Sequence, residues 1–535
     1  MKRNRSSRCR RAFLLTFAAL ALPACRPTAP PEGTLIVALS SDPGHLNPAI
    51  TTQGGVHTAS ALLYDGLIAL AETLQPVPAL ARSWTIEDSG RRYRFHLRTG
   101  VRWHDGQPFT SADVKFSFDS VLLRFHARTR ASLGAALASV EAPDDSTVEF
   151  RFKRPYPLLL QQLTVGEAPM VPRHVFANTD PATNPATRSP IGTGPFQFVS
   201  YQPDREIRYA ANRDYFGSKP RLGRIVIRIL PDPGMQMIAL EAGEVDWVFG
   251  VPGPDRTRLA ANPAIRMVQS SIGAGGSNCV NTLAFNLDRR LFQDLRVRRA
   301  VAQAVDRAAF VDRITYGGGR ASAKPISSQL EIARADDLSY PAFDTSAAGR
   351  LLDSAGWRLN GDGIRVAHNV PGIDNGARLT FGFTHMPPLQ PYGDLLRAQL
   401  RVVGIDLRLQ SLEPAVFADV LFKERAFDTG IISYCNGTDP EIGVRRMYVS
   451  SNIAPVPFSN AAGYRNAVVD SLFDAARATL DPDERRRDYR SIQLQVLRDL
   501  PYLSLVETVD TRAYRTRCSG FQGGAHFAAT ARCGP

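Results

Sequence analysis

A chain of 535 residues, 44% apolar and 21% charged, is long enough for several domains, and its composition excludes both a disordered polymer and a membrane-embedded bundle. Part of its +13 formal charge sits in residues 1–24, which carry six basic and no acidic side chains; without them 58 Lys and Arg face 51 Asp and Glu. The remaining cations are dispersed, with no concentrated basic run and interleaved aromatics, so nucleic acid is not an expected partner and only a mild bias toward anionic ligands or membrane surfaces remains.

Residues 1–24 read as an export signal. Lys2, Arg3, Arg5, Arg8, Arg10 and Arg11 precede the apolar run from Ala12 to Leu22, which is shorter than the ~20 residues a spanning helix needs. Leu22-Pro23-Ala24-Cys25 resembles a lipobox, which makes Cys25 the lipidated first residue of the mature chain; ordinary cleavage near Ala24, leaving a free thiol, is the alternative. Arg10-Arg11 also fits a twin-arginine signal, so the export route stays open. Residues 25–32 are Pro-rich and suit an extended tether.

Folded structure is expected to begin at Thr34–Leu39, a β-branched apolar run that reads as a buried strand and stops at the turn cluster from Ser40 to Gly44. Tyr93, Phe95 and Leu97 alternate with Arg94, His96 and Arg98, the two-residue period of a half-buried strand. Thr110-Ser111-Ala112-Asp113 matches a capping box, and Val114, Phe118 and Val121 extend an apolar helical face. His104-Asp105 lies between turn glycines and is read as a structural turn rather than a catalytic dyad.

Pro190-Ile191-Gly192-Thr193-Gly194-Pro195-Phe196 lacks the Lys-Ser/Thr of a phosphate loop and looks like a tight chain crossing. Asn212-Arg213-Asp214-Tyr215-Phe216 and the strand from Ile225 to Leu230 follow. A helix from Met235 to Ala242 is stopped by Gly243, and Glu244 and Asp246 read as exposed structural acids. Phe285-Asn286 leads into Asp294-Leu295-Arg296-Val297-Arg298-Arg299, which opens an amphipathic helix. Helices over 345–355 and 389–403 are each followed by a strand, Pro482 sits in the first turn of a long helix, and Pro501–Val506 reads as the final strand.

Cys279, Cys435, Cys518 and Cys533 remain beyond the leader, and outside the cytoplasm they suit two disulfides with three possible connectivities. The least demanding assignment joins Cys518 to Cys533, a short loop worth about 3 kcal/mol by chain entropy. No catalytic signature stands out: Gly-x-Ser-x-Gly and HExxH are both absent, and neither a metal nor a cofactor is expected.

In order, the Pro190–Phe196, Asn212–Phe216, Ala242–Asp246, Phe285–Asn286 and Asp294–Val301 motifs resemble the ABC-importer solute-binding proteins of the oligopeptide, dipeptide and nickel type, over nearly all of residues 34–506. The resemblance implies an α/β, bilobed periplasmic-binding-protein fold of cluster C type, with mixed sheets, three domains and an interlobe cleft. Domain I is expected from residues 33–75, 189–276 and 505–535, domain II from 76–188 and domain III from 277–504. It also implies a Cys279–Cys435 bridge, a periplasmic monomer and, as partners, a small-molecule or peptide ligand with an ABC permease and its ATPase. Nickel chelates, haem or other solutes, and a receptor without transport, stay open. The matching ligand segment is Ile431–Pro440, where the resemblance implies an Asp that neutralises a peptide ammonium; aligned on Asp439-Pro440, that position falls at Asn436, or at Gly437 if one gap is allowed. Tyr434, Asn436, Asp439 and Arg445 are the expected ligand-binding residues, with Arg446 a further guanidinium nearby.

Overall fold

Three sheets carry the chain, and period-two alternation within their strands builds a core on either face. The computed structural model describes residues 33–134, 136–270, 278–455, 457–521 and 526–534. Cys25, the export signal and the tether therefore lie outside the described residues. Among the described residues no helix is long and apolar enough to cross a membrane.

The first sheet has seven strands in the order Ile265–Ser270, Asp510–Arg515, Trp247–Val248, Thr34–Leu39, Arg224–Ile229, Glu206–Ala211 and Phe196–Gln202. Thr34–Leu39 is central and pairs in parallel with both neighbours. Leu35, Val37 and Leu39 enter one apolar cluster, while Ile36 and Ala38 enter a second on the opposite face. A four-stranded antiparallel sheet, Ala81–Glu87, Arg92–Leu97, Thr147–Phe152 and Leu137–Asp144, shares the first of those clusters through Tyr93, Phe95, Leu97 and Phe150. The helix begun at Ser111 adds Val114, Phe118 and Val121 to the same core, and the Asp113 carboxylate accepts the Thr110 N–H at 2.9 Å.

The third sheet has six strands: Gly319–Ala321, Tyr502–Thr508, Cys279–Phe285, Thr429–Cys435, Thr380–His385 and Asp406–Ser411. Leu283, Phe285 and Ile431 feed one face and Ala284, Ile432 and Tyr434 the other, so each strand is buried twice. Arg298, from the Asp294–Val301 motif, is buried and donates to the carbonyls of Leu500 at 3.1 Å and Asp499 at 2.5 Å. It thereby satisfies the carbonyl end of the long helix Pro482–Asp499, where Leu500 adopts a left-handed conformation. Burial pulls its pKa down to about 10.

Tyr502–Thr508 pairs with Cys279–Phe285 and Gly319–Ala321 along its length, so the expected domain boundary at 504/505 falls inside a strand. The chain changes sheets at Val509 instead, because breaking a central strand midway would strand its backbone donors. Nor is it the last strand: Asp510–Arg515 completes the seven-stranded sheet, and Cys518–Ser519 pairs with Arg532–Cys533 beyond it. The helix expected over 345–355 ends at Ser354 and is followed by the hairpin Trp357–Leu359 and Arg365–Ala367 before the strand Thr380–His385. Asp246 is fully buried rather than exposed: its carboxylate accepts the Ile36 N–H at 2.9 Å and the Arg517 Nε–H at 2.7 Å, pinning the C-terminal segment to the central strand.

The Gly-Thr-Gly crossing is held by backbone approach. Gly194 N–H donates to Leu63 O at 3.0 Å, Phe196 N–H to Leu62 O at 3.1 Å and His104 N–H to Gly192 O at 2.8 Å. His104 Nδ1 accepts from Gly192 N–H at 3.2 Å, which leaves the proton on Nε2 to donate to Gly194 O at 3.0 Å. A Cβ on Gly194 would lie 2.5 Å from the Leu63 carbonyl carbon, an overlap with backbone that no rotamer relieves. Gly194→Ala is therefore expected to cost about 3 kcal/mol, the upper end for overpacking, read as a lowered midpoint in denaturant unfolding with the slope unchanged.

Candidate functional site

Cys279 and Cys435 end two neighbouring strands in direct register and are bonded to one another, their Cα atoms 3.9 Å apart. Cys518 and Cys533 form a second bridge between the two short C-terminal strands. Beyond Cys435 the chain folds into a turn over residues 436–445. Asn436 N–H donates to Asn278 O at 2.8 Å, Asn278 Nδ2 to Gly437 O at 3.1 Å and Gly437 N–H to Ile442 O at 2.6 Å. Glu441 N–H donates to Asp439 Oδ1 at 3.0 Å and Arg445 N–H to Pro440 O at 3.0 Å. Ile442, at the tip, packs against the apolar cluster shared by the seven- and four-stranded sheets, so this turn sits where the two halves of the molecule meet.

The side chains singled out from sequence have unequal fates. Tyr434 is fully buried, donates its hydroxyl hydrogen to Ser459 O at 2.9 Å and meets Tyr502 edge-on; it is a core residue, because even positions of this strand point into the apolar layer. Asp439 is 2% exposed and bound by Arg485, whose Nη2 donates at 2.8 Å to both carboxylate oxygens. Tyr489 adds a hydroxyl donor at 3.3 Å. Burial works against the Arg485 charge, but Asp439 outweighs it and holds that pKa above its ordinary value. Asp439 is thus a structural anion already spent on an internal cation.

Arg445 is likewise committed: its Nη2 donates to Asp474 at 2.8 Å and its guanidinium lies over Phe473, 5.6 Å from the ring centre. Arg446 donates to Cys435 O at 2.9 Å and Gly443 O at 3.1 Å, and covers the rings of Tyr434 and Phe458. Asn436 is half-buried, and its Oδ1 has no hydrogen-bond partner among the described residues.

Sequence reasoning passed over Glu441. Its side chain is 4% exposed, 3.8 Å from Arg445, and burial pushes its pKa up to about 8 against the pull of that guanidinium. Its position directly after Asp439-Pro440 was the available signal. Arg485, which disposes of Asp439, lies 46 residues away and gave none. Two concavities, about 910 Å³ beside Tyr340 and Arg350 and about 990 Å³ beside Arg208 and Arg224, lie elsewhere and include none of residues 434–446.

The arrangement is a turn of largely buried polar groups, with no nucleophile–base pair among its described residues. The profile of the family described as bacterial extracellular solute-binding proteins, family 5 (middle), matches residues 75–454. The chain belongs to that family. It is a binding protein acting outside the cytoplasm, not an enzyme. A relative from Brucella ovis, described as an ABC transporter peptide-binding protein, is 30% identical over 477 residues, covering 86% of this chain and 84% of its own. NikA from Brucella suis, solved with Fe(III)-EDTA, superimposes with a TM-score of 0.80 at 24% identity, over 93% of this chain and 98% of its own. AppA from Bacillus subtilis, solved with a nonapeptide, gives a TM-score of 0.71 at 23% identity, over 94% and 99%. These structures bear out the bilobed, mixed α/β architecture.

The buried charges of this turn lead to two expected outcomes in stability. Arg485→Met leaves Asp439 buried without its cation and is expected to destabilise by about 3–5 kcal/mol, most of it recovered when Asp439→Leu is added, measured by chemical denaturation. Glu441 holds its proton in the folded chain between 4.5 and about 8, so its stabilising contribution is complete below pH 4.5 and is lost as pH rises through about 8. Glu441→Gln is therefore expected to match the parent's melting temperature at low pH and to exceed it at pH 9.

Proposed function

We propose that this protein is the ligand-capturing subunit of an ABC importer for peptides or peptide-like compounds. It works as a monomer, held at a membrane outside the cytoplasm by lipidated Cys25, and delivers its closed complex to a permease whose ATPase partner supplies the energy. The observation that carries this reading is the 436–445 turn, which abuts the opposite half through Ile442 and holds polar atoms left without partners among the described residues. Asn436 is the residue of this segment proposed to meet the ligand, with Arg445 beside it; Tyr434 and Asp439 act as its support.

The three sheets support a division into domain I over 33–75, 189–276 and 509–535, domain II over 76–188 and domain III over 277–508. Ligand held between the lobes would stabilise the closed form by its differential affinity for it. Both disulfides are proposed to form in the oxidising compartment, where Cys279–Cys435 anchors the strand ends from which the turn departs. The peptide assignment is supported by the Brucella ovis relative and by AppA with its nonapeptide. The iron chelate on NikA supports a second reading, an anionic metal chelate, which the local surplus of Arg445, Arg446 and Arg477 also favours.

Native mass spectrometry of the mature chain carrying Cys25→Ser, purified from a periplasm without denaturation, is the direct test. A retained series of peptide masses is the expected result. A single metal-bearing mass would instead establish the chelate reading and remove the peptide one.

A further inference from the structure

Three segments close around Gly33 and Thr34, where the central strand of the seven-stranded sheet begins. Gly33 N–H donates to Cys533 O at 3.2 Å, Gly223 N–H donates to Gly33 O at 2.8 Å, and Arg517 Nη2 donates to Thr34 O at 3.2 Å. Arg517 is also bound to the buried Asp246. The other two segments bring cations that are not so engaged. Residues 219–224 carry Lys219, Arg221 and Arg224 and no acid, and Arg532 directly precedes Cys533. All four residues are exposed, and none makes an ion pair among the described residues.

The same edge continues into an uncovered face of the sheet. Thr34 pairs with Arg224 and Arg224 with Ala210, while Ile36 pairs with Val226 and Val226 with Arg208, so these side chains share one face. The concavity of about 990 Å³ lies over it, with Val199 56% exposed on the edge strand. Glu206 engages Arg208 at 2.6 Å and Glu244 approaches Arg228 to 3.9 Å, whereas Arg224 has no carboxylate within ion-pair distance among the described residues.

Length decides what meets this surface. From Cys25 to Gly33 the chain can span at most about 28 Å. A folded chain of this size is roughly 60 Å across, from a radius of gyration of ~24 Å. With Cys25 lipidated, the Gly33 edge cannot face away from the bilayer, and its cations stand toward the headgroups. Clustered Lys and Arg are attracted to anionic headgroups within a Debye length of the surface.

We infer that the edge formed by Lys219, Arg221, Arg224 and Arg532, with the sheet face that continues from it, is a docking surface for anionic phospholipid headgroups and sets how the anchored protein stands on its membrane. The inference rests on the reading that Cys25 carries the lipid.

Co-sedimentation of the mature Cys25→Ser chain with vesicles at low ionic strength tests the surface without the anchor. Phosphatidylcholine vesicles containing about 40% phosphatidylglycerol are expected to retain at least ~10-fold more protein than phosphatidylcholine alone, and added salt to abolish the difference. The triple variant Lys219→Gln, Arg221→Gln, Arg224→Gln, with its melting temperature checked, is expected to fall to the neutral-vesicle level. The control Arg299→Gln, Arg350→Gln, Arg498→Gln removes the same charge from helices Leu295–Ala304, Thr345–Ser354 and Pro482–Asp499, and is expected to keep the preference. Equal retention on both kinds of vesicle, or equal loss in the two triple variants, overturns the inference. Lipidation is read separately, from the mass of the exported parent chain. A lipidated chain that fails the vesicle test refutes the docking surface and spares the anchor; an exported chain without lipid refutes the anchor, and the inference with it.

Discussion

The buried pair between Asp439 and Arg485 holds the turn over residues 436–445 in shape. Arg485 projects from the long helix Pro482–Asp499, caps the Ala476 carbonyl at 3.0 Å and grips both oxygens of Asp439. Asp439 in turn accepts the Glu441 N–H and so shapes the turn that carries Asn436 and Ile442. A buried ion pair contributes little net stability, because desolvation offsets most of its attraction, but losing either partner is severe. Its effect here is geometric and electrostatic together. The turn is tethered to a helix of its own half, and the Asp439 carboxylate is fully engaged by an internal cation.

A second buried carboxylate plays the matching part in the other half. Asp65 accepts from Thr193 Oγ1 at 2.8 Å and from the Tyr215 hydroxyl at 2.9 Å, and His526 lies 3.7 Å away. Three stretches distant in sequence, among them the Gly-Thr-Gly crossing and the Asn212–Phe216 motif, thus converge on one side chain. Behind them the loop closed by Cys518–Cys533 inserts Phe527, Ala528 and Ala531 into the shared core. The crossing can be tight because its glycines admit backbone against backbone, and it can stay tight because Asp65 and His104 satisfy what would otherwise be stranded donors and acceptors. The motifs that identify the family are, in this half, the joints of the scaffold.

Much of the scaffold was legible from pattern. The apolar run Thr34–Leu39, the alternation in Arg92–Leu97, the Gly243 stop with φ +79° and Pro482 in the first turn of its helix are local rules obeyed locally. The domain boundary near 505 was misplaced because the apolar run past Pro501 does not announce which sheet it joins; ladder partners decide that, and they lie more than 200 residues away at Cys279–Phe285. Asp246 read as exposed because Gly-Glu-Val-Asp looks like a turn, while Arg517, which draws it inside, comes from the far end of the chain.

The 431–440 segment divides along the same line. Sequence by itself determined which residues form the 431–440 segment and, with the family resemblance, that Asn436 or Gly437 stands where relatives have an acid, since both depend on residues within a few positions of one another. Only the tertiary structure decided that Tyr434 is core, that Asp439 and Arg445 are already paired, and that Glu441 is buried into neutrality. Those outcomes are set by Arg485, Asp474 and Ser459, which reach the turn across 25 to 46 residues of chain. A side chain's type is written locally, but whether its charge is free depends on which partner the fold brings within 3 Å, and no local pattern records that.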